Sequence, residues 1–334
     1  MIYLNEHFFD FVPKAEYFSD NKAVLTLSTK KAIIGLAFYK FDLAHMQEII
    51  EIAQGKTKKL IVYIKEPFST DLLVLLEKFK SIPNIFFFGD AVINRPFTNW
   101  KPAFSWFVSP RHYYQQDDWA KTLLGKVDQT ITDKPYIFDC LLGIQRFNRD
   151  AIESFIFKSP HRDKCIYSYY KNDIHKGIWN FDIGNVTGTW ESVRVFDDYE
   201  VALSSLIPYD IYNQSHFSIV AETTHFNEFN HFTEKTAKPI MAKRIFVPFA
   251  GQNFLSSLQQ LGFKTFSSII DESFDNESNH LLRWQKAWTQ VEYLCTQNPD
   301  LMRTSVQEIL DHNSNHFLTS DWHQQVKNYL QLHQ

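Results

Sequence analysis

The first 90 residues alternate between two spacings of hydrophobic side chains. Residues 23–27, 59–64 and 84–88 are apolar on both faces of an extended chain. This pattern is typical of strands that are covered on both sides, as in parallel sheets. Between these runs, apolar side chains recur at helical spacing in 43–53 and 72–79. The alternation predicts a βαβαβ arrangement and therefore an α/β domain.

The alternation stops near residue 91 and resumes near residue 134. Segment 91–133, which contains Ser109-Pro110-Arg111-His112, predicts long loops and one helical stretch at 119–124. The later strand patterns are 136–142, 165–170, 217–221 and 245–249, and the later helical patterns are 149–157, 234–242 and 253–261. From residue 280 the pattern is helical only. We therefore predict two Rossmann-like domains, at 1–130 and 131–278, followed by a helical C-terminal tail at 279–334.

Composition and charge exclude several classes of protein. None of the 10 glycines falls in a GxGxxG or GxxxxGK[ST] pattern, so the dinucleotide-binding fingerprint and the P-loop are both absent. The formal net charge of −4 argues against a protein that grips nucleic acid over its whole surface. The three cysteines form no CxxC pair, which predicts neither a disulfide framework nor a zinc site. The sequence shows no signal-peptide pattern and no apolar run of about 20 residues, which predicts a soluble cytoplasmic protein without a membrane span.

The most informative segment joins a strand that ends in a carboxylate to a polar helix start. Glu222 follows the predicted strand at 217–221, and a polar loop then leads to Thr233-Glu234-Lys235 at the start of a predicted helix. Ligands of open α/β sheets bind at the carboxyl ends of strands, and a helix N-terminus presents unpaired N–H groups to an anion. Lys235 opposes the helix dipole, which is explained if an anion such as a diphosphate binds there. The alternative interpretation is a threonine-capped surface helix with a solvated Glu234–Lys235 pair.

This order of elements resembles the donor half of GT-B glycosyltransferases, in particular the α-1,3-fucosyltransferase-like group and related proteins of viruses and marine bacteria. The resemblance covers about residues 135–270. Glu222 matches the strand-end Glu of the family, Thr233-Glu234-Lys235 match its helix motif, and Arg149 opens a helix where the family places an Arg on the donor diphosphate. Two departures, Ala221-Glu222-Thr223 instead of Phe-Glu-Asn and Ala250-Gly251-Gln252 instead of a Trp-Gly ending, leave the sugar open.

The resemblance implies a GT-B enzyme that transfers a sugar from a nucleotide-diphosphate sugar to an acceptor hydroxyl, without a metal or other cofactor. The residues expected to bind the donor are Arg146, Arg149, Glu222, Thr233, Glu234 and Lys235. Lys235, Arg149 and the helix N-terminus are suited to stabilise the charge that grows on the leaving diphosphate. Asp90, at the end of the phenylalanine-rich strand, and His112 are the candidates for the base that deprotonates the acceptor. The sequence does not choose between them.

Two other functions stay open. One is a glycosyltransferase that acts on a hydroxymethylated base in viral DNA, in the host cytoplasm if the chain is viral. The other is a non-catalytic protein that binds a sugar nucleotide or a glycan. The acceptor, whether a glycan or modified DNA, is therefore not identified by the sequence.

The remaining motifs favour structural roles. Asp117-Asp118 and Asp197-Asp198 are interpreted as solvated loop carboxylates, since neither is an Asp-x-Asp at a strand end. His312 and His316 have the i, i+4 spacing of a metal-binding face but lack an HExxH pattern. The three apolar residues that predict a core stripe in the last helical segment are Leu281, Trp284 and Trp288.

Overall fold

The computed structural model of the chain describes residues 16–18, 22–28, 33–38, 43–54, 59–64, 70–95, 97–116, 132–171, 174–177, 193–196, 199–202, 207–322 and 324. These residues belong to two compact units. The first is drawn from 1–106 and 321–334, and the second from 107–320. The predicted domain boundaries at 130 and 278 stay predictions.

The first unit contains a sheet and two complete helices among the described residues. Its strands are β1 (Glu16–Phe18), β2 (Lys22–Ser28), β3 (Ile33–Phe38), β4 (Lys59–Ile64), β5 (Ile85–Gly89), β6 (Val92–Ile93) and β7 (Trp100–Pro102). Its helices are α1 (Leu43–Gln54) and α2 (Asp71–Phe79), and α3 (Ser105–Gln116) begins in this unit and ends in the second.

The second unit contains the second large sheet, and most of the described helices belong to it. Its strands are β8 (Tyr136–Ile144), β9 (Cys165–Lys171), β10 (Ile174–Gly177), β11 (Val193–Phe196), β12 (Tyr199–Ala202), β13 (Ser215–Ala221), β14 (Phe229–Asn230) and β15 (Phe246–Phe249). Its helices are α4 (Phe147–Lys158), α5 (Tyr209–Gln214), α6 (Glu234–Met241), α7 (Phe254–Gln260), α8 (His280–Cys295), α9 (Pro299–Ser305) and α10 (Gln307–Thr319), with 3₁₀ turns at Arg162–Lys164 and Glu272–Asn276.

The first sheet has the strand order β1-β2-β3-β4-β5-β7. Its first three strands pair antiparallel, and β3, β4, β5 and β7 pair parallel. Helix α1 joins β3 to β4, and α2 joins β4 to β5, so the predicted α/β class is confirmed. Strand β3 was not predicted, because Gly35 and Ala37 weaken the strand propensity of its apolar run.

The packing of α2 on the first sheet follows from its predicted apolar stripe. The buried residues of α2 are Leu72, Leu75, Leu76 and Phe79. Every residue of β5 is buried, as a parallel strand between two layers requires. The Phe79 ring contacts the Phe87 ring of β5, with 6.1 Å between the centroids.

The second sheet has the strand order β10-β9-β8-β13-β15. All neighbouring strands are parallel except the edge pair β9–β10. From β8 the chain passes through α4 to β9, which is the next strand toward the β10 edge of the sheet. From β13 it passes through α6 to β15, which is the next strand toward the opposite edge. The strand order therefore reverses between β8 and β13. At such a switch point, open α/β sheets bind their ligands outside the carboxyl ends of the strands.

Helix α8 packs on the second sheet through its tryptophans. Trp284 is fully buried and Trp288 nearly so, and the Trp288 ring lies 6.1 Å from the ring of Phe138. The predicted core role of both tryptophans is confirmed. The same prediction is wrong for Leu281, which is 50% exposed. Trp284 Nε1 donates to the carbonyl of Ala250, just past the end of β15, so the turn that carries Leu281 lies beyond the strand.

The loop predicted at 109–112 is wrong, because these residues lie inside helix α3 with Pro110 in its interior. An interior proline costs about 3 kcal/mol, since it removes a backbone hydrogen bond and clashes with the preceding turn. Burial opposes this cost. Phe107 is fully buried, and its ring centroid lies 4.9 Å from that of Phe317. The predicted helix at 119–124 lies outside the described residues.

Candidate functional site

The predicted donor residues meet at the switch point of the second sheet. Arg149 belongs to the first turn of α4, directly after β8, and Glu222 directly follows β13. Asn148 joins the two strand ends, because its Nδ2 donates to the backbone carbonyl of Glu222 at 2.9 Å. Asn148 was not predicted, although its place between the two arginines of this turn was the available signal.

The Glu222 carboxylate is fully buried and accepts four hydrogen bonds from the protein. Its Oε1 accepts from the backbone N–H of Thr233 at 3.1 Å and from Oγ1 of Thr236 at 2.6 Å. Its Oε2 accepts from Oγ1 of Thr233 at 2.6 Å and from the backbone N–H of Thr223 at 3.2 Å. Burial raises the pKa of Glu222, against the opposing charge of Lys235 and the threonine hydroxyls. Glu222 therefore fixes the start of α6 to the end of β13.

A protein carboxylate thus occupies the N-terminal end of α6. Thr233 caps this helix, and its Oγ1 accepts from the backbone N–H of Lys235 at 3.3 Å. The expectation that this helix end presents unpaired N–H groups to a ligand is wrong for Thr233 and Lys235, whose amides both have protein acceptors. An anion at this edge must therefore be held by side chains and by other amides.

Glu234 and Lys235 form an ion pair of 2.6 Å between Oε1 and Nζ. The Glu234 side chain is 9% exposed and that of Lys235 24%, so the alternative of a solvated surface pair does not describe it. Burial raises the pKa of Glu234, but Lys235 and Lys238 outweigh that effect and lower it overall. Burial also lowers the pKa of Lys238 to about 8, although Glu234 opposes this. Lys235 neutralises Glu234 and keeps part of its own side chain in solvent.

Arg149 is a buried cation with a single hydrogen bond among the described residues. It is 3% exposed, its Nη1 donates to the backbone carbonyl of Ile144 at 2.5 Å, and its buried Nε has no acceptor. It forms no ion pair within the described part of the chain. Burial and the charge of Arg146 lower its pKa to about 10, against the charges of Glu234 and Glu222. A buried guanidinium without a paired carboxylate is unfavourable for folding.

Arg244 shows how the same unit accommodates a structural arginine. It is 2% exposed and forms an ion pair of 2.6 Å with Asp139. It donates four further hydrogen bonds, of 2.7–3.0 Å, to Ser218, Tyr212 and Ser215. All five of its N–H groups are thereby used. Arg149, by contrast, donates one hydrogen bond from its five N–H groups within the described residues. It is therefore a candidate ligand-binding residue.

The surroundings of Arg149 complete a cationic site. The N-cap residue of α4, Arg146, makes no side-chain capping hydrogen bond, and the amides of a first helical turn carry a partial positive charge. Gly143 lies beside the guanidinium at the end of β8, and its φ of +60° is in the left-handed region that favours glycine. We name the side chains of Arg146, Arg149 and Lys235, together with the backbone amides of the first turn of α4, the Arg149 cradle.

His231, in the loop between Glu222 and Thr233, is a buried neighbour of this site. It is 2% exposed, and burial and the charge of Lys235 lower its pKa to about 3, although Glu234 opposes this. His231 is therefore neutral at pH 7. Only the loop position of His231, between Glu222 and Thr233, signalled its proximity to the site.

The two predicted bases belong to other elements, since Asp90 directly follows β5 and His112 lies in α3. Asp90 is 1% exposed and fixes the start of α3, since its Oδ1 accepts from the backbone N–H of Ser105 at 2.6 Å and its Oδ2 from the Ser105 hydroxyl at 2.5 Å. His112 lies in helix α3, not in the predicted loop, and its side chain lies outside the described part of the structure. Catalysis by either residue stays a prediction.

The histidine pair of α10 has structural partners. His312 Nε2 is hydrogen-bonded to the carbonyl of Gly262 at 2.9 Å, and His316 Nε2 to that of Leu261 at 2.7 Å. Both carbonyls follow the end of α7, so the two histidine side chains cap the C-terminal end of that helix. The metal-binding interpretation of this pair therefore has no support from its contacts.

The described residues contain no group of three or more histidine, cysteine, aspartate or glutamate side chains that could hold a metal ion. Asp117-Asp118 and Asp197-Asp198 lie outside the described residues. Metal independence stays a prediction. In the same part of the chain, no helix has the length and apolar character needed to cross a membrane.

No protein-family model matches the chain, and comparisons with curated proteins and with solved structures also give no match. The resemblance to GT-B enzymes therefore rests on the sequence motif.

Proposed function

We propose that the chain is a glycosyltransferase that uses a nucleotide-diphosphate sugar and holds the diphosphate in the Arg149 cradle. The observation that carries this proposal is Arg149, a buried cation with one hydrogen bond and no ion pair within the described residues. A diphosphate supplies both the missing acceptors and the missing negative charge. The cradle also lies at the strand ends where open α/β sheets bind ligands.

The cradle suits the chemistry of sugar transfer. As the acceptor hydroxyl attacks the anomeric carbon, the bond to the diphosphate breaks through an oxocarbenium-like state and negative charge grows on the leaving group. Arg149 and Lys235 are cations held in place before the reaction, and such preorganised charge is often the largest catalytic contribution. Glu222 acts as a positioning residue, because both of its oxygens are bonded to the protein and it fixes the helix that carries Lys235.

The test is a thermal-shift screen of the full chain against nucleotide-diphosphate sugars, because a ligand that binds the folded state raises its stability. Donors that bind are then assayed for hydrolysis and transfer. Arg149→Met is expected to lose the ligand-induced shift. Arg162→Met is the matched control, since the Arg162 side chain is 59% exposed on the turn after α4. The proposal fails if no such donor shifts the wild type, or if Arg149→Met binds the donor as tightly as the wild type does.

One observation favours a second candidate, a sugar-nucleotide-binding protein that transfers nothing. The Asp90 carboxylate is buried and committed to Ser105, so this predicted base is not presented to an acceptor. Donor binding without hydrolysis, and without transfer to a glycan or to hydroxymethylated DNA, would support this second function over the first.

A further inference from the structure

An aromatic cluster lies directly beside the Arg149 cradle. The ring of Phe147, the first residue of α4, lies 5.5 Å from that of His280, 5.7 Å from that of Trp284 and 6.0 Å from that of His225. His225 and His280 are 5.6 Å apart, and each lies 5.3 Å from Trp284. We name Phe147, His225 and His280, backed by Trp284, the aromatic platform.

Burial changes steeply across the platform. Trp284 is fully buried, the two histidines are half-buried, and Phe147 is 52% exposed. The three rings that contact Phe147 are tilted against it by 53°, 60° and 82°, so none of them stacks parallel to it. A single exposed aromatic ring is ordinary on a protein surface. The Phe147 ring differs from such rings because it lies beside the Arg149 cradle, where it could contact a bound ligand.

The platform and the cradle share segments of the chain. Phe147 lies between Arg146 and Asn148, in the uncapped first turn of α4. His225 belongs to the loop that follows β13. Burial lowers the pKa of His225, and the charges of His280 and Arg146 are among those that act in the same direction. A phosphate in the cradle therefore lies next to an exposed aromatic surface.

We propose that the aromatic platform is the stacking surface for the base of a nucleoside diphosphate. This inference rests on the proposed function, because it places the phosphates of the same ligand in the Arg149 cradle. Bases stack on aromatic side chains through a π-face that every base has, so such contacts add affinity with little choice between bases. The platform therefore contributes affinity for the nucleoside, and the cradle contributes affinity for the phosphates.

The two contributions separate when ligands with and without a base are compared. Isothermal titration of the full chain with inorganic pyrophosphate and with ADP, GDP, UDP and CDP measures both. The wild type is expected to bind the best nucleoside diphosphate about tenfold or more tightly than pyrophosphate. Phe147→Ala is expected to weaken nucleoside diphosphate binding about tenfold and to leave pyrophosphate binding unchanged, and Phe147→Tyr to restore the wild-type affinity.

Phe157→Ala is the matched control. Phe157 is also 52% exposed and belongs to the same helix, but it lies in the last turn, where its ring contacts Tyr167 at 6.0 Å. This variant is expected to bind every ligand as the wild type does. Thermal unfolding of both alanine variants checks that each is folded.

The outcomes separate this inference from the proposed function. The platform is refuted if folded Phe147→Ala binds nucleoside diphosphates as tightly as the wild type. It is also refuted if the wild type binds pyrophosphate as tightly as every nucleoside diphosphate. In both cases the proposal that the cradle binds phosphates is unaffected. If the wild type binds neither pyrophosphate nor any nucleoside diphosphate, the cradle is refuted and this inference falls with it.

Discussion

Removing the charge of Arg149 should make the ligand-free protein more stable. Most substitutions of buried residues destabilise a fold. Arg149→Met keeps a long side chain but removes a buried cation that has one hydrogen bond and no ion pair within the described residues. The same substitution should abolish anion binding. If Arg149→Met gains stability and loses anion binding, the charge of Arg149 contributes to ligand binding and not to the stability of the fold.

The magnitude follows from the pKa of Arg149, which burial lowers from its ordinary value to about 10. Each tenfold change in a protonation equilibrium corresponds to about 1.4 kcal/mol, so the folded protein carries this charge at a cost of about 3 kcal/mol. Because the pKa is lower in the folded state, the full penalty is present at pH 7 and is relieved only as the pH rises above about 10. Loss of the bond to Ile144 opposes the gain by about 1 kcal/mol. The expected net gain is about 2 kcal/mol.

Arg244→Met provides the opposite case within the same unit. It leaves the buried carboxylate of Asp139 without its partner, and such a loss costs about 3–5 kcal/mol. Urea unfolding of both variants and the wild type at pH 7, with and without pyrophosphate, measures the difference. If Arg149→Met lowers the free energy of unfolding as much as Arg244→Met does, Arg149 is a structural cation and the argument for the cradle is refuted.

Four further results are expected. Lys235→Ala should lower kcat/KM by the equivalent of about 2–4 kcal/mol without unfolding the protein, although Tm should fall because the buried Glu234 loses its ion-pair partner. Normal transfer by this variant would remove Lys235 from the site. Transfer should survive EDTA, since cationic side chains supply the charge, and loss of activity that Mn²⁺ restores would contradict this. His112→Ala should slow transfer without changing donor affinity, and an unchanged kcat would exclude it as the base. His231, whose pKa is about 3 in the folded state and near 6.5 unfolded, should destabilise the protein as the pH falls below 6.5, by about 3 kcal/mol at pH 4.5. Urea unfolding of His231→Phe at pH 7 and 4.5 should lack this loss, and an equal loss in the variant would assign it to other groups.

The elements that were predicted correctly are those whose signal is local. The apolar stripe of α2 lies within one helix and the apolar run of β4 within one strand. Helical spacing places the apolar side chains of α2 on one face, and an uninterrupted apolar run indicates that β4 is covered on both faces, so the local pattern identifies each element. The position of Arg149 after a strand was a local signal of the same kind, and the structure places it at the predicted sheet edge.

The predictions that failed depended on partners distant in the sequence. Pro110 signals a loop, but the burial of Phe107 against Phe317 keeps the helix intact. The start of α6 signals free amides, but Glu222 folds back onto Thr233 and Thr236 and fills that helix end. In both cases a contact made only in the folded chain reversed what the local pattern indicated.

The same distinction explains why the buried arginines of the second unit could not be sorted by sequence. Arg244 is neutralised by Asp139, 105 residues away, and Arg283 donates to the carbonyl of His225, 58 residues away. The single partner of Arg149 within the described residues is Ile144, five residues away, and it is a carbonyl and not a carboxylate. Within the described residues, distant parts of the chain thus provide hydrogen-bond acceptors to Arg244 and Arg283 but none to Arg149. A fold that is only marginally stable retains an unfavourable buried charge where function requires it. We propose that a bound anion supplies the acceptors that Arg149 lacks within the described residues.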